Sequence, residues 1–403
     1  MRQLNFGYLL FLAMALSLAG CSSQVVKTTA NVPVMQETGE IAEDQLLDVG
    51  IMTFDAGLDD AADSDDVVIF PEIRKAESRF IAVHLMETMQ SSAAWGAVRV
   101  IPNEQSAVDV TVDGVILQSD GESLVVEVTV RDATGREWFQ KEYRELASRY
   151  AYDPKRTIKI EPFQNLYNKI ANDILIHRRT LEAADIRNVR LVSELKFARS
   201  FSPDAFGDHL GQDKQGQLQI KRLPSENDPM LDRIRSIRER DYLFVDTLQD
   251  YYGTFVKEMA EPYKEWRRLS YREVMAVRDL KKEARAQTIA GVVAILGGIA
   301  AAGSDNRSAR SAGTIAVAGG GYLIKGGFDK RAEAQIHVEA LQELGDSLEA
   351  DIEPQVIELE DRTITLSGSV ENQYNQWREL LRDLYRLDTG GVDPSAGEQD
   401  PEK

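Results

Sequence analysis

Val108-Asp109-Val110-Thr111-Val112-Asp113-Gly114-Val115-Ile116-Leu117-Gln118-Ser119-Asp120-Gly121-Glu122-Ser123-Leu124-Val125-Val126-Glu127-Val128-Thr129-Val130 is the stretch that decides the fold. Val108, Val110 and Val112 alternate with polar residues, and Val115-Ile116-Leu117 extends the run. Leu124, Val126, Val128 and Val130 alternate on the far side of Asp120-Gly121. Such alternation turns one set of side chains to one face of a strand, and Asp-Gly between two runs is a strong hairpin signal. Ala133-Thr134-Gly135 turns the chain again into a strand from Trp138 to Tyr143. Upstream, Asp48 to Phe54 and Val98 to Ile101 read as buried strands. Between them Pro71 suits a first helical turn, and Ile73, Phe80, Val83, Leu85 and Met86 give a helix to Met89 an apolar face. The order β-α-β-β-β-β predicts a sheet with a helix packed across one face, over residues 46–147.

From 148 to 287 the pattern is helical. Leu166, Ile170, Ile174, Leu175, Leu191, Leu195 and Phe197 mark the first part, and Gly211 to Gln217 reads as a link. Asn227-Asp228-Pro229 opens the longest periodic run, with Ile234, Ile237, Phe244, Leu248, Tyr252, Phe255, Met259 and Trp266 at steps of three, four or seven. A stripe at that spacing faces a core or a partner, and Phe244, Tyr252, Phe255 and Trp266 are its aromatic anchors. Arg233, Arg235, Arg238, Glu239, Arg240 and Asp241 are of mixed sign and read as a solvated, ion-paired face. Pro262 lacks a backbone donor and predicts a kink or a division into two helices.

Two apolar segments, Ile289 to Ala302 and Ala312 to Ile324, flank a polar tip from Gly303 to Ser311. With charged helical stretches on either side, residues 288–328 predict an antiparallel helical hairpin. Glycine inside a helix costs about 1 kcal/mol relative to alanine in water. The repeated glycines Gly291, Gly297, Gly298, Gly313, Gly319, Gly320 and Gly326 therefore point to close backbone approach, in lipid or against another helix. Each segment spans about 21–24 Å as a helix, short for a standard bilayer core but closer to a thin one. Three readings stay open: a hairpin in contact with the bilayer, a hairpin packed on a partner or second copy, and a glycine-rich loop.

Residues 329–388 continue with a returning helix, a β-hairpin about Glu360-Asp361-Arg362, and a helix carrying Trp377, Leu380, Leu381, Leu384 and Tyr385. Residues 389–403 hold Gly, Pro, Asp and Glu with little apolar content, which predicts a disordered acidic tail. The fold class expected is α+β: a small α/β sandwich domain, then a mainly helical region with a long antiparallel hairpin and a C-terminal β-hairpin plus helix.

At the other end, Arg2 precedes an apolar run from Tyr8 to Leu18 that is too short to span a membrane, and Leu18-Ala19-Gly20-Cys21 closes it. The run resembles the lipobox of bacterial lipoproteins. That resemblance implies a signal peptide over 1–20, acylation of Cys21, and, with Ser22 and Ser23 next, transfer to the outer membrane. Cys21 is the only cysteine among 403 residues, so no internal disulfide forms. Residues 21–45 read as a flexible tether. The β-α-β-β-β-β region is similar to the N-terminal domain of TolB and to the periplasmic domain of the curli secretion lipoprotein CsgG, on Gly50-Ile51-Met52-Thr53-Phe54, the helix after it, and Val112-Asp113-Gly114. The glycine-bearing segments resemble glycine zippers of outer-membrane lipoproteins, and Thr363 to Val370 with its helix resembles half of a BON domain. These resemblances imply an envelope location and partner binding, with no active site carried over.

A net charge of −19 disfavours nucleic acid and anionic lipid headgroups as partners. His84, His177, His209 and His337 lie singly, and Asp59, Asp60, Asp63, Asp65 and Asp66 lack the central Gly and distal Glu of a calcium loop. No phosphate loop, nucleophile elbow or Cys-His arrangement occurs. The expectation is a protein that is not an enzyme, without catalytic residues, metal or cofactor. It is expected to be anchored in the outer membrane by lipid, mostly periplasmic, and to form homo-oligomers or bind an envelope partner. An export conduit is the alternative, and a cell-wall hydrolase a second one.

Overall fold

The computed structural model describes residues 31–58, 71–148, 150–153, 155, 161–301, 355–358 and 363–389, with backbone alone over 276–301. The chain divides at Asn31/Val32, and the unit described is the second. It is an α+β fold. Strands β1 (Val49–Met52), β2 (Val98–Ile101), β3 (Val110–Ser119), β4 (Ser123–Asp132) and β5 (Glu137–Leu146) form one sheet in the order β2-β1-β3-β4-β5. β1 pairs in parallel with β2 and β3, because helix α1 (Pro71–Ser91) crosses between β1 and β2. The β3-β4-β5 meander is antiparallel, with Val112 opposite Val130 and Val126 opposite Tyr143. Val110, Val112, Ile116, Leu124, Val126, Val128 and Val130 are buried on one face, as the alternation requires.

Helices α2 (Gln164–Thr180) and α3 (Ala183–Phe201) follow, then one turn, α4 (Pro203–Phe206). The link expected at Gly211 to Gln217 is itself a small hairpin, β6 (Leu210–Gln212) against β7 (Leu218–Ile220), with Asp213 Oδ1 accepting from the Gln215 and Gln217 amides in its turn. α1 and α2 lie side by side, α2 against β5 and α1 against β1, β2 and β3. Helix α5 (Pro229–Ala301) runs 73 residues and packs on α1, α3 and β2. Strands β8 (Gln355–Glu358) and β9 (Thr363–Leu366) pair, and helix α6 (Val370–Asp388) packs on α5, with Ser369 Oγ capping it by accepting from the Asn372 amide.

Two expectations need correction here. Of the kink or division expected at Pro262, the division does not occur, and Pro262 lies inside α5. Its missing donor is outweighed by burial on both sides, at Met259, Tyr263 and Trp266, which fix the helix against α1. Residues 32–45 are not a flexible tether: Val34 and Met35 pack on the core, and the backbone of 32–37 is hydrogen-bonded to α2 and to the end of α1. The expected signal peptide, Cys21, the acidic stretch Asp59 to Asp66, the second glycine segment, His337, the expected returning helix and the acidic tail lie outside the described residues.

Candidate functional site

α5 is the element on which the described candidate site residues fall. Its stripe is a core face. Phe244, Tyr252, Phe255 and Trp266 are each no more than 5 % exposed, so of the two readings, core or partner, the stripe takes the core and the partner-facing one is corrected. Phe255, Met259, Tyr263 and Trp266 pack with Ile73, Ala76 and Phe80 of α1. Phe244 stacks on Trp377 of α6 at 4.9 Å. The period fixes which side chains share a face, and the partner proves to be the chain's own sheet domain and C-terminal helix.

Three polar knots interrupt that apolar face. Nearest the helix start, Arg238 faces the buried Asp109 carboxylate at 3.8 Å and donates to Ser193 Oγ. Tyr242 donates to Ala107 O at 2.9 Å. Asp241, fully buried, accepts from Tyr374 OH at 3.2 Å, and Arg378 stands 3.9 Å away under the rings of Phe197 and Phe201. Burial lifts the Asp241 carboxyl to about 6, although Arg378 and Tyr374 pull it down. Arg238 and Asp241 were expected on the solvated face, and the structure turns both inward.

Two turns further, Gln249 closes the edge of the sheet. Its amide accepts from Val100 N and donates to Val100 O, both at 2.9 Å, as a neighbouring strand would. Arg99 beside it pairs with Asp246. The third knot lies at Tyr263 and Arg267. Tyr263 donates to Glu77 Oε1 at 2.6 Å, and Ser119 donates to the same oxygen. Burial raises the Glu77 carboxyl despite Arg74 nearby. Arg267 forms a two-armed pair with Glu161 among the rings of Phe80, Phe163 and Tyr263. Burial opposes its charge, and Glu161 together with Tyr263 and Tyr152 outweighs burial. The β3–β4 turn docks here as well: a Cβ on Gly121 would lie 2.0 Å from Arg267 O and 2.3 Å from Tyr271 N, so only glycine allows that approach.

These contacts tie α5 to the body from Leu231 to Tyr271. The helix then continues to Ala301, about 45 Å at 1.5 Å per residue. Gly291, Gly297 and Gly298 lie on that continuation, in unbroken helix. Gly313, Gly319, Gly320 and Gly326 lie outside the described residues. Among the described residues, no helix is long and apolar enough to cross a membrane.

An open cleft of about 610 Å³ lies between the Glu43–Gln45 turn, α3 and α5, lined by Glu43, Asp44, Arg187, Arg190, Glu194 and Arg238. Its charges compensate one another: Arg187 pairs with Asp44 and Arg190 donates to Glu43 O. Among the described residues no three His, Cys, Asp or Glu side chains are grouped to hold a metal ion. The three described histidines pack on rings or pair locally. His177 stacks on Trp138 at 4.8 Å, His84 lies between Phe80 and Tyr167, and buried His209 faces Arg222 O.

The chain matches no family model, no curated protein and no solved structure. The knots were missed in the sequence, although a signal existed. The stripe steps by seven between Ile237 and Phe244, and Asp241 fills that gap on the same helical face.

Proposed function

We propose that this protein is a lipid-anchored outer-membrane lipoprotein with a structural or assembly role in the cell envelope. In this reading the α/β body is a rigid base, and α5 carries a Gly/Ala-rich segment away from it to meet the bilayer or further copies of the chain. The observation that supports it is the division of labour along α5. Aromatic and ionic burial fixes the helix as far as Tyr271, and the run containing Gly291, Gly297 and Gly298 begins well past that point in the same helix. A helix held so firmly at one end transmits the orientation of its base to its far end. Lipid anchoring rests on Leu18-Ala19-Gly20-Cys21.

Ser308, in the polar tip, gives the test. With Ser308→Cys in intact cells and the unsubstituted chain as background, labelling by an impermeant thiol reagent from outside is expected if the hairpin spans. Protection until the outer membrane is opened removes spanning and leaves contact with copies or partners in the periplasm. A protein that is monomeric in detergent and also protected at Ser308 defeats both forms of the proposal.

A further inference from the structure

Three asparagines of α2, at 165, 168 and 172, fall on one helical face and all reach the same extended segment. Val32 N donates to Asn165 Oδ1 at 3.0 Å, and Asn168 Nδ2 donates to Val32 O at 2.7 Å. Asn172 brackets the next residues: its Nδ2 donates to Pro33 O at 3.0 Å and its Oδ1 accepts from Met35 N at 2.7 Å. Further along, Glu37 N donates to Ser92 O, and the Glu37 carboxylate takes both arms of Arg179. The Arg179 hydrogen bonds and charge hold the Glu37 carboxyl below its usual range.

The register is metrical. Asn165 to Asn172 covers about 10.5 Å of helix, and Val32 to Met35 covers about 10 Å of extended chain. A carboxamide carries one acceptor and one donor group, like a peptide unit, so a row of them reads backbone rather than side chains. Asparagine is a poor helix former, yet Asn168 and Asn172 are buried in mid-helix, each with its amide paired to this segment. A face that needed only to cover the core would be met by leucine or alanine. This face grips main chain.

We propose that the asparagine ladder of α2 is a clamp that captures the strap Val32–Glu37 and so sets the length of the leash between anchor and body. The inference rests on the lipid-anchor reading above. With the strap released from the asparagines the leash runs free from Cys21 to Glu37, and full extension allows roughly 55 Å of reach. Clamped at Val32, the same leash reaches no more than about 40 Å. Anchored copies then keep their bodies, and the start of each α5, within a narrow layer next to the membrane.

Hydrogen exchange on the full chain tests the clamp. In Asn165→Ala/Asn172→Ala the amides of Val32 and Met35 are expected to exchange about tenfold faster or more, while β3 and β4 stay protected. Met35→Pro/Glu37→Ala loosens the strap from its own side without touching α2, and is expected to speed exchange at Val32. For the leash, the lipidated protein with a donor dye at Lys196→Cys is placed on vesicles bearing an acceptor lipid. The asparagine variant is expected to lose energy transfer as a chain with five Gly and Ser residues inserted after Asn31 does. Unchanged exchange at Val32 and Met35 overturns the clamp. Faster exchange with transfer held at the parent value, while the insertion lowers it, overturns the leash. The mass of the N-terminal peptide separates the two levels: an unmodified Cys21 removes anchor and leash together, and exchange still decides the clamp.

Discussion

Asp241 shows what a single residue contributes here. A carboxyl driven to about 6 by burial holds a proton in the folded protein at pH values where the unfolded chain, near 3.8, has released it. The folded state therefore binds more protons between about pH 4 and 6, and stability falls as pH rises through that window before levelling off. Arg378, 3.9 Å away, is itself lowered by burial, so the pair attraction does not offset desolvation on either side. We expect the wild type to lose on the order of 2 kcal/mol relative to Asp241→Asn between pH 4 and pH 7, read from urea midpoints across that range. Absolute stabilities shift too, because the variant leaves Arg378 without its counter-charge, but the difference in slope isolates this carboxyl. Parallel profiles for the two proteins would mean that Asp241 is ionised in the fold at all these pH values.

At the scale of elements, α5 separates what periodicity conveys from what it cannot. Steps of three and four residues predicted one apolar face, and Ile234, Ile237, Leu248, Tyr252, Phe255 and Met259 are all buried on it. A helical period says nothing of what the face meets, since a partner's groove and the chain's own sheet ask for the same side chains. Treating Arg238 and Asp241 as solvated followed composition, whereas position on the helix turns them inward. The meander was legible because β3 and β4 are local in sequence and joined at Asp120-Gly121. The clamp on Val32–Glu37 was not, because its partners lie more than 130 residues away and nothing local to the strap specifies them. A core role for the stripe has a direct consequence. Phe255→Ala is expected to cost about 3–5 kcal/mol of unfolding free energy. Leu243→Ala, on the opposite face at 67 % exposure, is expected to stay within about 0.5 kcal/mol. A Phe255→Ala protein of unchanged stability that had only lost self-association would return the stripe to a partner.

The whole molecule combines a body that closes on itself with a helix that outlasts it. The sheet's inner face is covered by α1 and α2, the β2 edge is taken up by Gln249, and α6 completes the cover over Phe244. Each of these contacts uses α5 residues before Tyr271 or none at all. Stability and the Gly/Ala segment should therefore be separable. In a chain lacking residues 288–328, residues 272–287 and 329–354 still join the anchored part of α5 to β8, β9 and α6. We expect its thermal and urea transitions to match the full protein within about 0.5 kcal/mol, since no described core contact is removed. We expect its assembly state in detergent, measured by sedimentation, to drop to the monomer, because small residues that allow close backbone approach are what the deletion takes away. If the body loses stability along with the segment, the far end of α5 folds back as part of the core. If the shortened chain assembles as before, the contacts between copies are made by the body.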